Sequence, residues 1–251
     1  MARSAWSGEP APPVRMLPDR LPVQLLPDKD SEPDQVPIGV EEAALQLVRL
    51  DLFGSDQHLL VLGDGACGKT NLLRLLVAGL CARYTDKELV FAVVDPRRQL
   101  QDLVPEQHLG GYAHNPQSCA SLAAGVAKEL AKRTDLVDPR VVVLVDDYDL
   151  LASTGQRPLE TLLPYLPAGR DIGVHFVVSR RVAGAARAMF DPFLLGLREN
   201  GATGLVLAGD RSEGQLFPDV YAGPQPPGRG WLVRRGEPGR LVQTALDPGT
   251  P

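Results

Sequence analysis

The 251-residue chain is 44% hydrophobic and 23% charged, which suffices for one large α/β core and is too little for two of that size. Its net charge of −5 argues against a protein whose main ligand is nucleic-acid phosphate. Cys67, Cys81 and Cys119 are odd in number and lack metal-ligand spacing, so we expect neither a disulfide framework nor a zinc site. No apolar run approaches the roughly 20 residues of a membrane-spanning helix.

Proline dominates the first part of the chain. Residues 1–37 contain eight prolines, a density that prevents a long helix and leaves extended or edge-strand segments. We interpret residues 1–37 as a linker from a preceding domain that packs on the surface of the next one, with a disordered leader as the alternative. Residues 41–44 then suggest a short helical turn, and residues 45–52 alternate apolar and polar side chains like a half-buried strand.

A phosphate-binding loop follows the next apolar run. Residues 58–62 predict a buried strand and residues 71–82 predict a helix, and between them the pattern G-x-x-x-x-G-K-T runs from Gly63 to Thr70. That strand, loop and helix order is the context the motif requires. Glycines let the backbone wrap closely around an anion, so that successive N–H groups and a helix N-terminus face a phosphate.

The loop predicts both a nucleotide and a metal ion. Lys69 would reach the β- and γ-phosphates of ATP, and the Thr70 hydroxyl would ligate Mg²⁺. An ordinary strand-to-helix turn with a solvated lysine is the alternative, and it does not require this spacing. The predicted cofactor-binding residues are Gly63, Asp64, Gly65, Ala66, Cys67, Gly68, Lys69, Thr70 and Asn71.

A second informative segment is an apolar strand that ends in two carboxylates. Residues 89–95 predict one buried strand, and a helix begins at Asn115-Pro116 and runs to about residue 133. Residues 141–147 (VVVLVDD) predict a central strand that delivers acids to the carboxyl edge of the sheet. Asp146 would hold Mg²⁺ through water, and Asp147 stands where many ATPases have a glutamate that orients the attacking water. A strand-terminal turn is the alternative.

The last part of the chain continues the alternation of strands and helices. Arg180 and Arg181 follow a predicted strand at 174–179. They would sense the γ-phosphate or reach a neighbouring subunit, because a guanidinium matches phosphate geometry; solvated surface arginines are the alternative. The predicted catalytic residues are therefore Lys69, Asp146, Asp147 and Arg180. The remaining predicted elements are a helix at 159–166, a helix from Asp191-Pro192 to about 200, a strand at 203–209, and a hairpin of 229–235 with 240–246.

These elements predict an α/β protein of the P-loop NTPase class. We expect a RecA/FtsK-like three-layer αβα architecture with a mostly parallel central sheet. An N-terminal linker strand and a C-terminal β-hairpin would be added to it. Residues 38–251 are the predicted ATPase domain.

Several stretches resemble one branch of the FtsK/SpoIIIE-type ATPases. The opening region from VPIGVEEAALQLVRL through VLGDGACGKTNLLRLL is similar to the start of such ATPase domains. The later stretches are similar to the last ATPase domain of EccC, the multi-ATPase motor of type VII secretion systems. They read VVVLVDDYDLL, LLPYLPAGRDIGVHFVVSRRVAGAARAMFDPFLLGLREN, GLVLAGDRSEG and PPGRGWLVRRG. The resemblance covers about residues 13–246.

The resemblance implies a function that the residues alone do not. EccC-type motors carry three ATPase modules in tandem and a membrane anchor at the N-terminus, so this chain would be the third module on the cytosolic side of the membrane. Its partners would be the other ATPase modules and the C-terminal signal of a WXG100 (Esx) substrate, and its cofactors ATP and Mg²⁺. A signal helix would dock in an apolar groove. Phe190, Phe193, Leu194 and Leu197 are candidate lining residues, although such a stripe is also typical of a core.

Two departures from the motor pattern favour weak or absent hydrolysis in isolation. DNA-translocating relatives carry a Thr-Gln pair where this chain has Arg180-Arg181, and a glutamate is usual at Asp147. Aspartate is one methylene shorter, and a misplaced water can cost on the order of 100-fold in rate. A DNA-translocating FtsK/HerA-type ATPase is the alternative function, which the acidic net charge disfavours. A non-catalytic adaptor is a third.

Overall fold

A computed structural model describes residues 16–31, 33–152 and 157–247 of the chain. The strands are β1 (Leu21–Pro22), β2 (Val36–Glu41), β3 (Leu47–Leu50), β4 (His58–Leu62), β5 (Leu89–Val94), β6 (Leu109–Ala113), β7 (Arg140–Val145), β8 (Val174–Arg180), β9 (Thr203–Val206), β10 (Gln215–Phe217), β11 (Val220–Tyr221), β12 (Arg229–Val233) and β13 (Arg240–Leu246). The helices are α1 (Lys69–Cys81), α2 (Pro116–Leu130), α3 (Tyr148–Ala152), α4 (Gly169–Ile172), α5 (Ala185–Ala188) and α6 (Pro192–Glu199). Short 3₁₀ helices lie at Val23–Leu25, Glu106–His108, Glu160–Tyr165 and Arg211–Glu213.

One large sheet organises these elements. Its strand order is β3-β2-β13-β12-β9-β4-β8-β7-β5-β6, with β1 added parallel to β13. All neighbours from β9 to β6 are parallel, and the strands from β3 to β9 pair antiparallel. Strand β4, which precedes the P-loop, therefore lies between β9 and β8 in the parallel part. Strand β7, which precedes the two carboxylates, is the next neighbour of β8.

Alternating side chains of the central strands build a core on each face of the sheet. In β4, Leu59 and Val61 pack in a cluster with Leu72 and Leu76 of α1. Leu60 and Leu62 pack on the opposite face, in a cluster that draws on α2, α6 and the 3₁₀ helix at Glu160–Tyr165. Because strand side chains alternate between faces with period two, a continuous apolar strand requires helices on both sides. The predicted α/β fold with a mostly parallel central sheet is confirmed.

Most predicted elements are present, and the differences have local causes. The helix opened by Asn115 and Pro116 has a capping box, in which the Asn115 side chain accepts from Ser118 N and the Ser118 hydroxyl accepts from Asn115 N. The helix predicted at 159–166 is present as a 3₁₀ helix at Glu160–Tyr165, with Pro164 inside it; a proline there removes an N–H donor, so a regular α-helix is disfavoured. Residues 42–44 form a turn rather than a helical turn.

The C-terminal hairpin and the N-terminal strand both join the main sheet. Trp231 of β12 pairs with Leu241 of β13, as the hairpin prediction requires. Leu21 of β1 pairs in parallel with Ala245 of β13, so the proline-rich segment contributes a strand next to the C-terminal one. Within the three described ranges, none of the helices is both long and apolar enough to span a bilayer.

Candidate functional site

The loop between β4 and α1 has the backbone of a phosphate cradle. Gly68 adopts φ +106° immediately before α1 begins at Lys69, a conformation that only glycine adopts without strain. Gly65 has nothing within 4 Å of the position where a Cβ would stand. The loop residues 65–68 and the first residues of the 13-residue helix α1 line the same cleft, and a glycine-rich loop at a helix N-terminus is the arrangement that binds anions.

Lys69 is folded back onto its own loop. Its ammonium donates to the carbonyls of Gly63 at 2.8 Å and Asp64 at 3.2 Å. It also lies 3.7 Å from Oδ1 of Asp147, and the Lys69 residue is buried. A positive charge on a flexible stem is thereby held at the floor of the cleft, within reach of a phosphate placed on the loop.

Thr70 and Asp146 meet at the position predicted for a metal ion. The Thr70 hydroxyl donates to Asp146 Oδ2 at 3.1 Å and reaches Gln99 Oε1 at 3.3 Å. The Ser179 hydroxyl donates to the other oxygen of Asp146. Burial raises the pKa of Asp146, with the Asp147 charge in the same direction, and the Ser179 and Thr70 hydroxyls oppose the shift. This set of hydroxyl and carboxylate oxygens fits Mg²⁺, which prefers oxygen ligands.

Asp147 is held in an ion pair that the sequence did not predict. Its residue is buried, and Oδ2 lies 2.5 Å from Nε of Arg97, which follows β5. Its backbone has φ +48°, a left-handed conformation that aspartate tolerates better than most residues. The Asp147 N–H donates to Ser179 Oγ at 3.0 Å and Asp146 Oδ1 at 3.1 Å. The carboxylate predicted to orient water is thus engaged by Arg97 and Lys69.

Arg97 and Gln99 are the site residues that sequence reasoning missed. Both lie in the loop after β5, which pairs with β7. The signal that was available is their position at the carboxyl end of a parallel strand, where ligands of such sheets bind. Arg74 of α1 donates to the Gln99 carbonyl at 2.6 Å, so this loop is joined to the P-loop helix.

The two consecutive arginines after Ser179 line different clefts. Arg181 faces the P-loop cleft and lies 3.7 Å from the carboxylate of Asp149. Arg180 is 3% exposed and lines a second cleft beside α5. The structure therefore brings Lys69, Asp146 and Asp147 together and leaves Arg180 outside their cleft.

Other predicted loop residues act through the backbone or brace the loop. Asp64 donates its N–H to Ala208 O and accepts from Ala183 N through Oδ1. Ala66 adopts φ +58°, and the Cys67 carbonyl accepts from Gly228 N at 2.8 Å. Burial raises the pKa of the Cys67 thiol, so it stays protonated near neutral pH. The role of these residues in nucleotide binding stays a prediction.

Asn71 connects the P-loop helix to the C-terminal strand. Its side chain donates to Ala245 O at 2.7 Å and accepts from Asp247 N at 3.0 Å. This predicted cofactor-binding residue therefore uses its amide to hold the end of β13. Among the candidate groove residues, Phe193, Leu194 and Leu197 are buried in the core, whereas Phe190 is 81% exposed.

The P-loop cleft has room for a nucleotide and the chemistry to hold one. Its volume is about 570 Å³, which is within the range of small-molecule sites. It is lined by Gly65, Ala66, Cys67, Gly68, Lys69, Thr70, Asn71, Arg74, Arg97, Gln99, Asp147, Arg181, Pro227 and Leu246. The loop backbone, one lysine and three arginines line it, so it suits a polyanion with a bound cation.

The chain is similar to ATPases of known secretion systems. The ESX secretion system protein EccC of Thermomonospora curvata is 38% identical over 97% of this chain, which covers 19% of that relative. The ESX-4 secretion system protein EccC4 of Mycobacterium tuberculosis is 38% identical over 96% of this chain and is covered to 21%. The chain thus spans about a fifth of the length of these two relatives.

A solved structure and a family model extend the comparison. The structure is T. curvata EccC (ATPases 2 and 3) in complex with a signal sequence peptide; it is 37% identical, with a TM-score of 0.89, and the match covers 98% of this chain and 47% of that one. The model of the FtsK/SpoIIIE family matches residues 23–190, more than half of the chain. That match includes the P-loop, the paired carboxylates and Arg97. The chain therefore belongs to the FtsK/SpoIIIE family of P-loop ATPases.

Proposed function

We propose that this chain is a nucleotide-binding ATPase module of a type VII secretion motor and corresponds to the third ATPase of an EccC-type protein. It recognises the C-terminal signal of a WXG100 (Esx) substrate and works with the other ATPase modules of the same motor. The observation that carries the proposal is a complete phosphate cradle in a chain that aligns over 98% of its length with EccC ATPases. The module acts on the cytosolic side of the membrane, and the anchor belongs to another part of the motor.

ATP with Mg²⁺ is the ligand of the cleft. The loop amides and Lys69 bind the phosphates, while Thr70 and Asp146 supply the oxygens for the ion. The ion neutralises charge on the phosphates when it is bound. For Lys69 to reach a phosphate, its ammonium leaves the carbonyls of Gly63 and Asp64, and nucleotide binding exchanges one set of polar contacts for another.

Hydrolysis by the isolated module is weak. Asp147 is the only acid beside the cleft in position to orient a water molecule, within the described residues, and it is bound to Arg97 at 2.5 Å and close to Lys69. A carboxylate whose oxygens are engaged by a guanidinium and lie near an ammonium has fewer lone pairs left to accept a hydrogen bond from a water molecule. Arg180, which the sequence also predicts to be catalytic, lies outside the cleft.

Substrate recognition is supported by the related structure. T. curvata EccC (ATPases 2 and 3) forms a complex with a signal sequence peptide, and this chain shares its fold at 37% identity. An amphipathic signal helix binds through apolar side chains at helical spacing. We therefore propose that the partner of this chain is the C-terminal helix of a WXG100 protein.

Calorimetry on the full chain tests nucleotide binding and signal recognition separately. Mg-ATP is titrated into wild type and Lys69→Ala, with Lys87→Ala as a control at an exposed lysine. Loss of a charge-assisted contact predicts affinity at least about tenfold weaker in Lys69→Ala alone. Peptides from the C-termini of WXG100 proteins are then titrated with and without Mg-ATP. Equal ATP affinity of all three proteins, or no ATP binding by wild type, would refute nucleotide binding by the P-loop, and absence of binding to every peptide would refute signal recognition.

A further inference from the structure

A second cleft lies beside the P-loop cleft and shares no lining residue with it. It has a volume of about 460 Å³ and opens at the carboxyl ends of β7 and β8. Its lining residues are Tyr148, Asp149, Arg157, Arg180, Gly184, Arg187, Ala188, Phe190 and Asp191. Nothing in the proposed nucleotide chemistry uses this cleft, although it holds three arginines.

Arg180 is a buried cation without a carboxylate of its own. It is 3% exposed, and it donates from Nε to Arg181 O at 2.9 Å and from Nη2 to Ala183 O at 3.1 Å. No carboxylate among the described residues lies within 4 Å of its guanidinium, whereas Arg181 has Asp149. Burial lowers the pKa of Arg180. A desolvated charge gains strongly from an anionic partner, and the cleft is where such a partner has access.

The two acids of the cleft are already engaged elsewhere. Asp149 accepts from the backbone N–H of Arg181 at 3.0 Å and lies beside the Arg181 side chain. Asp191 accepts from the Tyr148 hydroxyl at 2.9 Å and caps α6 through the N–H groups of its first turn. Their charges still face the cleft, so the site is only moderately positive. That balance favours a singly charged carboxylate over a doubly charged phosphate.

The rim of the cleft adds an apolar contact. Phe190 is 81% exposed, and it stands next to the exposed Arg187 on the segment that follows α5. A large aromatic side chain in water beside a cationic pocket is typical of a surface that binds another chain. The arrangement matches a peptide in which an acidic residue lies next to an apolar one.

We propose that this second cleft binds a carboxylate of an acidic peptide segment, with Arg180 and Arg187 as the partners of the carboxylate and Phe190 as the apolar contact. The proposal does not rest on the proposed function, because the cleft is separate from the nucleotide site. A guanidinium binds a carboxylate through two parallel N–H donors, and Arg180 lines the cleft together with residues of α3 and α5.

Fluorescence anisotropy with matched peptides tests this site. The probe is a short peptide with blocked ends and glutamates flanked by leucines, and its twin has glutamine at each glutamate. The acidic peptide should bind at least about tenfold more tightly than its twin. Arg187→Gln and Phe190→Ala, both at exposed positions, should each weaken that binding about threefold to tenfold. Arg170→Gln, at an exposed arginine outside the cleft, should leave it unchanged.

Several results would overturn the assignment. Equal affinity for the two peptides, or no effect of Arg187→Gln, would remove the carboxylate from the proposal. Inorganic phosphate that competes as well as the acidic peptide would make this a phosphate site instead. Absence of binding at about 1 mM peptide, which is the limit of weak recognition, would exclude the site. Mg-ATP affinity measured on the same variants should stay at the wild-type value, which separates this test from that of the nucleotide site.

Discussion

Arg97→Gln should raise ATP turnover if Asp147 orients the attacking water as we propose, because Arg97 is paired with that carboxylate. The Arg97 Nε lies 2.5 Å from Asp147 Oδ2. A hydrogen bond to a charged group contributes about 1.5–3 kcal/mol, and the lower end applies because the Arg97 side chain is 38% exposed. Release of about 1.5 kcal/mol corresponds to roughly a tenfold larger population of free Asp147. We therefore expect turnover about tenfold above wild type.

A phosphate-release assay under saturating Mg-ATP measures this effect. Arg98→Gln is the matched control, because Arg98 is the exposed neighbour and forms no ion pair within the described part of the chain. The double variant Arg97→Gln/Asp147→Asn should lose the gain, since the released group must be Asp147. Turnover of Arg97→Gln at or below wild type, with unchanged ATP affinity, would show that Arg97 does not restrain Asp147 and that the short carboxylate alone limits hydrolysis.

Three further predictions concern the loop and the core. Gly63→Ala should weaken Mg-ATP binding, because the alanine Cβ would overlap Cys67 Sγ. Calorimetry should show that Gly63→Ala/Cys67→Gly recovers part of the lost Mg-ATP affinity. An unchanged affinity in the double variant would mean that this overlap is not the reason for the weaker binding. Burial lowers the pKa of His175 to about 3. Between about pH 7 and pH 5 the unfolded chain therefore binds a proton at His175 that the folded chain does not bind. Urea titrations over that range should show wild type losing about 2 kcal/mol more of its unfolding free energy than His175→Asn. Asp56→Ala should cost about 3 kcal/mol in the same assay, because the partly buried Arg234 would lose its ion-pair partner and the buried Thr203 hydroxyl its acceptor. A loss below about 1 kcal/mol would mean that solvent replaces the carboxylate.

The parallel half of the sheet was predictable because its signals are local. Each buried strand is a short apolar run, and the loop after β4 has a spacing that only a phosphate cradle requires. The hydrogen bond from the Thr70 hydroxyl to Asp146, at 3.1 Å, follows from the fold, because the carboxyl ends of the parallel strands β4 and β7 lie at the same edge of the sheet. Strand β2 was not predictable in this way. It contains Pro37 at a register shift and Gly39 where β13 comes close, so its sequence reads as loop.

The geometry around Asp147 depends on contacts between distant parts of the chain. Nothing near Arg97 in the sequence indicates that its side chain crosses to the end of β7, since that requires the pairing of β5 with β7. The opposite placement of Arg180 and Arg181 has a simpler cause. Successive side chains at the end of a strand point to opposite faces, so one arginine reaches the P-loop cleft and the other the second cleft. The sequence alone therefore did not indicate which of the two arginines lies in the P-loop cleft.

The P-loop contacts favour a regulatory use of the nucleotide over rapid turnover. The Lys69 ammonium donates hydrogen bonds to the loop carbonyls and also forms an ion pair with Asp147. A phosphate on the loop takes that ammonium away, and Asp147 then depends on Arg97 alone. We therefore expect nucleotide binding to leave Asp147 paired with Arg97, whose loop is joined to α1 through the contact of Arg74 with the Gln99 carbonyl. If Asp147 orients the attacking water as proposed, we expect rapid hydrolysis only when Arg97 is drawn away from Asp147.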